Sequence, residues 1–227
     1  MAIFQLSWGA LPVEGRCVGF KCVEAMSELF ELDLYVVIRE ETELDVEGLL
    51  LTRASLDVQF PPASPLEVVA QPISFAGIVT SMDLLRMEGE RALYRVRVSP
   101  QLWLLTQSFH SRIWTKKSLK DVVTEVLEES GLVAGDDFEL RVSSPPPTEE
   151  HMCQYKETNF AFVSRWFERE GWYYFFEHDG GKDKLVVTDN KAVHESKRAL
   201  PVAYVPQSGA DGSARDAYDN VAARARL

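Results

Sequence analysis

Four histidines, three cysteines and 35 carboxylates are the raw material for chemistry in this sequence. The histidines are His110, His151, His178 and His194. None stands in an H-E-x-x-H or H-x-x-x-H arrangement, the spacing that puts two imidazoles on one helix face around a zinc ion. His178 adjoins Asp179 and a pair of glycines, and reads as part of a solvated turn. Cys17 and Cys22 are five apart and Cys153 is remote. That pattern matches neither paired C-x-x-C zinc elements nor a disulfide framework, so the Cys17 and Cys22 pair reads as two buried, reduced thiols. No nucleophile elbow, P-loop or dinucleotide fingerprint is present. Carboxylates this numerous pair by chance, and a glycosidase pair is defined by distance across a cleft, which spacing does not give. The expectation is no catalytic residue, no cofactor-binding residue and no metal ligand, in a chain that is not an enzyme.

Two binding motifs remain. Arg95 and Arg97 alternate with Tyr94, Val96 and Val98 and form a basic ridge. A solvated strand face with acidic partners is preferred over anion binding. Trp172 to Phe176 are five consecutive aromatics, the composition of a stacking platform for bases or sugars. Core packing is the better reading, because a strand directly after a helix tends to be covered on both faces.

Composition narrows the class. Hydrophobic residues at 46% and charged residues at 26% describe an ordinary folded protein rather than a disordered one. A net charge of −11 over 227 residues argues against nucleic acid as the partner. No apolar run reaches the ~20 residues that a membrane helix needs, so stable membrane insertion is not expected. The N-terminal stretch lacks a basic region followed by an apolar core, so no secretory signal is expected.

The elements that must position these residues differ between the halves. Phe30, Leu32 and Leu34 alternate with Glu31 and Asp33, a half-buried strand; from Tyr35 to Ile38 the alternation is lost, as if both faces were covered. Residues 39–47 read as an acidic loop or turn. Further strands are expected at 54–60, 73–82 and 91–99, broken by Pro61, Pro62, Pro65 and a turn at Glu88-Gly89-Glu90. Gly77 suggests a bulge or a close backbone approach. Several short strands without a long helix suggest a small barrel or sandwich.

The second half starts with Ser118 and Asp121 as a capping box, and Leu119, Val122, Val123, Val126 and Leu127 follow as one apolar stripe up to Gly131. A second helix is expected from Asn159 as N-cap to Glu170, burying Phe160, Val163 and Phe167. A hairpin follows, with strands at 172–177 and 184–189 and a turn from His178 to Asp183. From Pro206 onward the sequence is polar and aperiodic and reads as a flexible or partly ordered end.

Four segments together resemble one family: FAGIVTSMDLL (75–85), LYRVRVSPQLWLLTQSFHSRIWTKKSLKDVVTEVLEESGL (93–132), QYKETNFAFVSRWFEREGWYYFFEHDGG (154–181) and KLVVTDN (184–190). They are similar to the N-terminal region of VgrG, the spike protein of bacterial type VI secretion systems, itself similar to the baseplate hub of contractile phage tails. The resemblance implies an α+β, mostly β fold: a small tube-type β-barrel over residues 1–105, an α+β domain with two helices and a β-hairpin over 106–200, and a flexible segment or the start of a second barrel over 201–227. That second barrel is expected to continue past Leu227.

The family role implied is mechanical. Members are trimers whose barrels form a ring on the hexameric Hcp tube, with baseplate proteins, a PAAR tip and effectors as partners and no cofactor. The resemblance places the protein in the cytoplasm before firing and delivers it through the apparatus without a signal peptide. A phage-like tail hub and an effector- or carbohydrate-binding adaptor are the alternatives.

Overall fold

The computed structural model describes residues 3–39, 44–59, 72–143 and 148–194, with two short strands at 203–204 and 217–218. Residues 1–193 form one compact unit and residues 194–227 a second.

Six strands build the first layer: β1 (Ile3–Ser7), β2 (Gly15–Val23), β3 (Glu31–Arg39), β4 (Arg53–Gln59), β5 (Ile73–Glu88) and β6 (Arg91–Ser99). They pair antiparallel in the order β1-β4-β5-β6-β3-β2, and the sheet curls into a nearly closed barrel. Its two edges meet through side chains, the Phe4 and Phe20 rings standing 5.7 Å apart, edge to face. Three register shifts, at Cys17/Gly19, Val79/Ser81 and Leu84/Arg86, bend the strands. Period-two patterning fills the interior: Leu32, Leu34, Val36 and Ile38 of β3 and Ala92, Tyr94, Val96 and Val98 of β6 are buried.

The alternation in β3 therefore does not lapse after Leu34; Leu34, Val36 and Ile38 are buried while Tyr35 and Val37 stay half-buried on the outer face. Strand β5 runs six residues beyond the expected Met82, since its bulges let it turn with the barrel. Gly77 is a close backbone approach: a Cβ there would lie 2.4 Å from the Ser99 carbonyl oxygen. The β5–β6 turn is tighter than three residues. Glu88 pairs with Arg91, and Gly89 takes the left-handed φ of 59° that a two-residue hairpin requires.

The acidic stretch after β3 contains a single helical turn, α1 (Val46–Leu49), capped by the Asp45 side chain on the Gly48 amide. Residues 40–43 and the prolines at 61, 62 and 65 lie outside the described residues.

A 3-10 turn (Gln101–Thr106) tucks Leu102 and Leu105 into the core and leads to the second half. There β7 (Phe109–Ser118) pairs antiparallel with β9 (Thr148–Thr158) as a two-stranded ribbon. Helices α2 (Leu119–Glu129) and α3 (Asn159–Glu170) follow the two ribbon strands, and Phe162 of α3 stacks on Trp114 of β7 with centroids 5.0 Å apart. A three-stranded sheet completes the unit in the order β10-β11-β8, from β8 (Phe138–Arg141), β10 (Tyr173–Asp179) and β11 (Lys182–Thr188), with β8 and β11 parallel. Helix α2 matches its sequence pattern residue by residue: Ser118 caps the Asp121 amide, all five stripe residues are buried, and Gly131 ends it at φ 89°.

Helix α3 differs at its start. Thr158 is the N-cap, its hydroxyl accepting the Ala161 amide at 3.0 Å. Asn159 is instead drawn inside, where its side chain accepts from Gln154 and Arg112 and donates to Ser130. The shifted phase puts Phe162 and Trp166 in the core beside Val163 and Phe167, and leaves Phe160 half-buried.

The hairpin turn shrinks from the expected His178–Asp183 to Gly180-Gly181, both at positive φ. The polar end of that sequence continues the strands because His178 and Asp183 find buried partners. In the second unit, β12 (Ala203–Tyr204) and β13 (Ala217–Tyr218) pair parallel; the rest of the polar end lies outside the described residues.

Phe167 is 2% exposed and its ring meets Trp172 at 5.9 Å and Tyr174 at 6.2 Å. Phe167→Ala is expected to destabilise the unit by about 3–5 kcal/mol, as truncation of a buried aromatic does. Chemical denaturation followed by tryptophan fluorescence measures this, and an unchanged midpoint would refute it.

Candidate functional site: a polar junction and an apolar ribbon

Two groups of residues have the build of working parts. The first lies where β4, the 3-10 turn and β11 meet. Arg53 of β4 donates through Nη2 to Gln101 Oε1 at 2.5 Å and to Asp137 Oδ1 at 2.9 Å. Its Nη1 lies 3.9 Å from Asp183 Oδ1. Asp183 accepts the Gln101 amide at 2.8 Å, and Asp137 accepts the Val133 amide at 2.9 Å. Both aspartates are buried. Burial pushes the Asp183 carboxyl above its ordinary range; the Gln101 amide and the Arg53 charge hold it back. Two carboxylates and one guanidinium are thus spent on fixing backbone amides.

His178 belongs to the same junction. It lies within β10, opposite Asp183 in register, and its side chain is 10% exposed. The solvated-turn expectation is therefore corrected. Nδ1 accepts the Ala76 amide of β5 at 3.0 Å, so in the neutral ring the proton sits on Nε2. Phe30 and Phe75 pack edge-on against the ring at 5.1 and 5.8 Å, and Glu24 Oε1 lies 3.9 Å from Nε2. The imidazole is a cross-brace between two sheets. No hydroxyl or thiol among the described residues is hydrogen-bonded to it.

The second group is the outer face of the β7–β9 ribbon. Arg112 and Trp114 point inward, the guanidinium 4.5 Å from the indole centroid. Phe109, Ile113 and Tyr155 are 72%, 64% and 67% exposed. Ser111 pairs with Tyr155 and Ile113 with Cys153, which brings the apolar side chains together. Apolar groups gathered on one exposed face mark an interaction surface. Nothing was expected of these strands from sequence, although Phe109, Ser111 and Ile113 alternate with His110, Arg112 and Trp114.

The other residues singled out in the sequence are dispersed. Cys17 is buried and Cys22 half-buried on β2; burial raises both thiols, Cys22 to about 11 with help from Glu24. No cluster of three metal-ligating side chains exists among the described residues. His110 and His151 are exposed on the ribbon strands. Arg95 pairs with Asp83 at 2.9 Å, and Arg97 with Asp33 at 2.8 Å and Glu31 at 3.4 Å, so the ridge has its acidic partners. Trp172, Tyr174 and Phe176 are buried, while Tyr173 and Phe175 are half-buried on the opposite face.

A nearly closed barrel braced by a charged junction, with an apolar ribbon turned outward, is the build of an assembly component. Comparison with known proteins agrees. The chain belongs to the phage tail baseplate hub (GPD) family, whose model matches residues 23–227.

Among curated relatives it is 35% identical over 190 residues to the type VI secretion system spike protein VgrG1b of Pseudomonas aeruginosa, covering 82% of this chain and 24% of that one. It is 32% identical over 173 residues to VgrG1a of the same organism, covering 76% and 25%. The chain thus spans about a quarter of the length of these relatives.

Among solved structures, an E. coli type VI secretion component similar to the T4 phage tail proteins gp27 and gp5 superposes with a TM-score of 0.70 at 24% identity, over 84% of this chain and 50% of that one. A tail protein of Neisseria meningitidis gives 0.57 at 13% identity, over 93% and 56%.

Two measurements check the junction and its neighbouring sheet. His178→Leu keeps the volume but strands the Ala76 amide, and is expected to cost about 1–3 kcal/mol in urea unfolding; a neutral effect would mean that the brace is unimportant.

On the three-stranded sheet, Arg141 and Lys184 hold the Glu139 carboxyl down at about 2, against an ordinary 4.5. A depressed carboxyl contributes stability that is present above pH ~4.5 and lost as pH falls toward ~2. The contribution is small, since Glu139 is 42% exposed and screened. Arg141→Gln is expected to flatten the acid limb of the stability profile; an identical acid limb would refute the pairing.

Proposed function

We propose that this chain is the hub segment of a type VI secretion spike. In this reading its barrel docks on the Hcp tube, three copies form the hub ring, and the assembled spike, with baseplate proteins and a PAAR tip, carries effectors into a target cell. The barrel of residues 1–105 is the tube-facing part, and the α+β region of 106–200 its outer brace. The protein works in the cytoplasm until firing and leaves through the apparatus. The role is mechanical rather than enzymatic.

The observation that carries the reading is the nearly closed six-stranded barrel within a chain matched by the hub model over residues 23–227. The exposed apolar ribbon supports it, because a hub subunit must present surfaces to neighbours. A phage-like tail hub is the second reading, favoured by the family description; the 35% identity to a type VI spike protein, against 13% to the Neisseria tail protein, favours the first. A structure of a Francisella PdpA–VgrG complex, with a TM-score of 0.60 and 15% identity, matches in fold.

Co-sedimentation with assembled Hcp tubes tests the proposal. The chain is expected to pellet with tubes at micromolar concentration and to stay in the supernatant without them. Failure to pellet, together with stoichiometric capture of a cargo protein, would favour the adaptor reading instead.

A further inference from the structure

Among the described residues, the arginines are matched to carboxylates with one localised exception. Arg53, Arg86, Arg95, Arg97, Arg112, Arg141, Arg165 and Arg169 each lie within 4.0 Å of an acidic side chain. Arg16, Arg39 and Arg91 have no such partner among the described residues, in a chain with 35 acidic side chains to 24 basic ones. The three are exposed and lie together on the outer face of β2, β3 and β6. Arg39 and Arg91 stand directly opposite each other in register, and Arg16 is opposite Val37, two residues before Arg39. Like charges directly across an antiparallel pair destabilise the sheet. Farther along the same strands, Arg95 and Arg97 each have an aspartate.

The three arginines line a groove of about 600 Å³ together with Val18, Val37 and Glu14. Glu14 lies farther than 4.0 Å from all three arginine head groups. We propose that this groove is a docking site for a partner protein's extended segment in which acidic residues alternate with aliphatic ones. The forked guanidinium groups would take carboxylates in pairs, and the valines the intervening side chains. The apolar wall and the nearby Glu14 suit separate carboxylates better than a continuous phosphate chain, and the net charge of −11 opposes nucleic acid at long range. The inference goes beyond the hub reading and does not depend on it, since peptide binding needs no assembly.

The test uses the whole chain and a fluorescent peptide of about ten residues alternating Glu with Val or Leu, read by anisotropy at low salt and at about 0.3 M salt. The acidic peptide is expected to bind, more weakly at high salt. Its Gln counterpart, and the Arg39→Gln/Arg91→Gln variant, should each lower affinity by about tenfold or more. Arg86→Gln, at an exposed arginine that does not line the groove and pairs with Glu88, should leave binding unchanged. The double variant should melt no lower than the parent, because it removes a like-charge pair. Four results would each overturn the proposal: equal affinity for the Gln peptide, tighter binding of an oligothymidylate, a lower melting point of the double variant, or binding that emerges only after Glu40, Glu41 and Glu43 become Gln. The last would make the chain's own acidic segment the occupant.

Discussion

The inner face of the six-stranded sheet must be kept from water, yet its edge strands β1 and β2 are not hydrogen-bonded to each other. Closure by backbone pairing alone would remove both edges. Here side chains complete what the backbone leaves open. Phe4 meets Phe20 across the seam, and Phe30 meets Phe176 at 5.3 Å where β10 covers the barrel's side. The Ser27 amide donates to the Tyr174 carbonyl at 2.9 Å in the same region. The second half therefore completes the barrel core, and residues 1–193 form one compact unit.

That dependence explains the buried charges. Desolvating two aspartates costs stability unless partners compensate. Asp183 and Asp137 hold the Gln101 and Val133 amides, and Arg53 reaches both from β4. An all-apolar junction would bury more surface but would not fix the register of the 3-10 turn against β11. His178 does the same between β10 and β5. Directional hydrogen bonds fix such joints in a way that non-directional packing alone does not.

Local signals in the sequence were reliable where a side chain's role was local. The Ser118 cap, the five-residue stripe of α2, the inward set of β6 and the glycine ends of both helices were all legible, since periodicity and capping are properties of neighbouring residues. The α3 register was not. Both Thr158 and Asn159 are good caps, and the choice was made by Gln154, Arg112 and Ser130, which lie far apart in sequence and claim the Asn159 side chain. His178 failed for the same reason, because its acceptor role depends on Ala76, 102 residues away. The aromatic run was half legible: the core claims Trp172, Tyr174 and Phe176, and the strand period sends Tyr173 and Phe175 to the other face.

The outer surface follows from a different constraint. A soluble monomer would be expected to disperse its apolar groups and to match its charges. The present chain instead groups Phe109, Ile113 and Tyr155 on one ribbon face and sets Arg39 against Arg91 on one barrel face. Neither arrangement helps the isolated fold: the first exposes surface that folding gains nothing from, and the second adds repulsion within a hydrogen-bonded pair. They lie on different elements, one apolar and one cationic, so neither face depends on the other. The unpaired features of the surface are therefore as much a part of its fold-to-function logic as the paired ones inside.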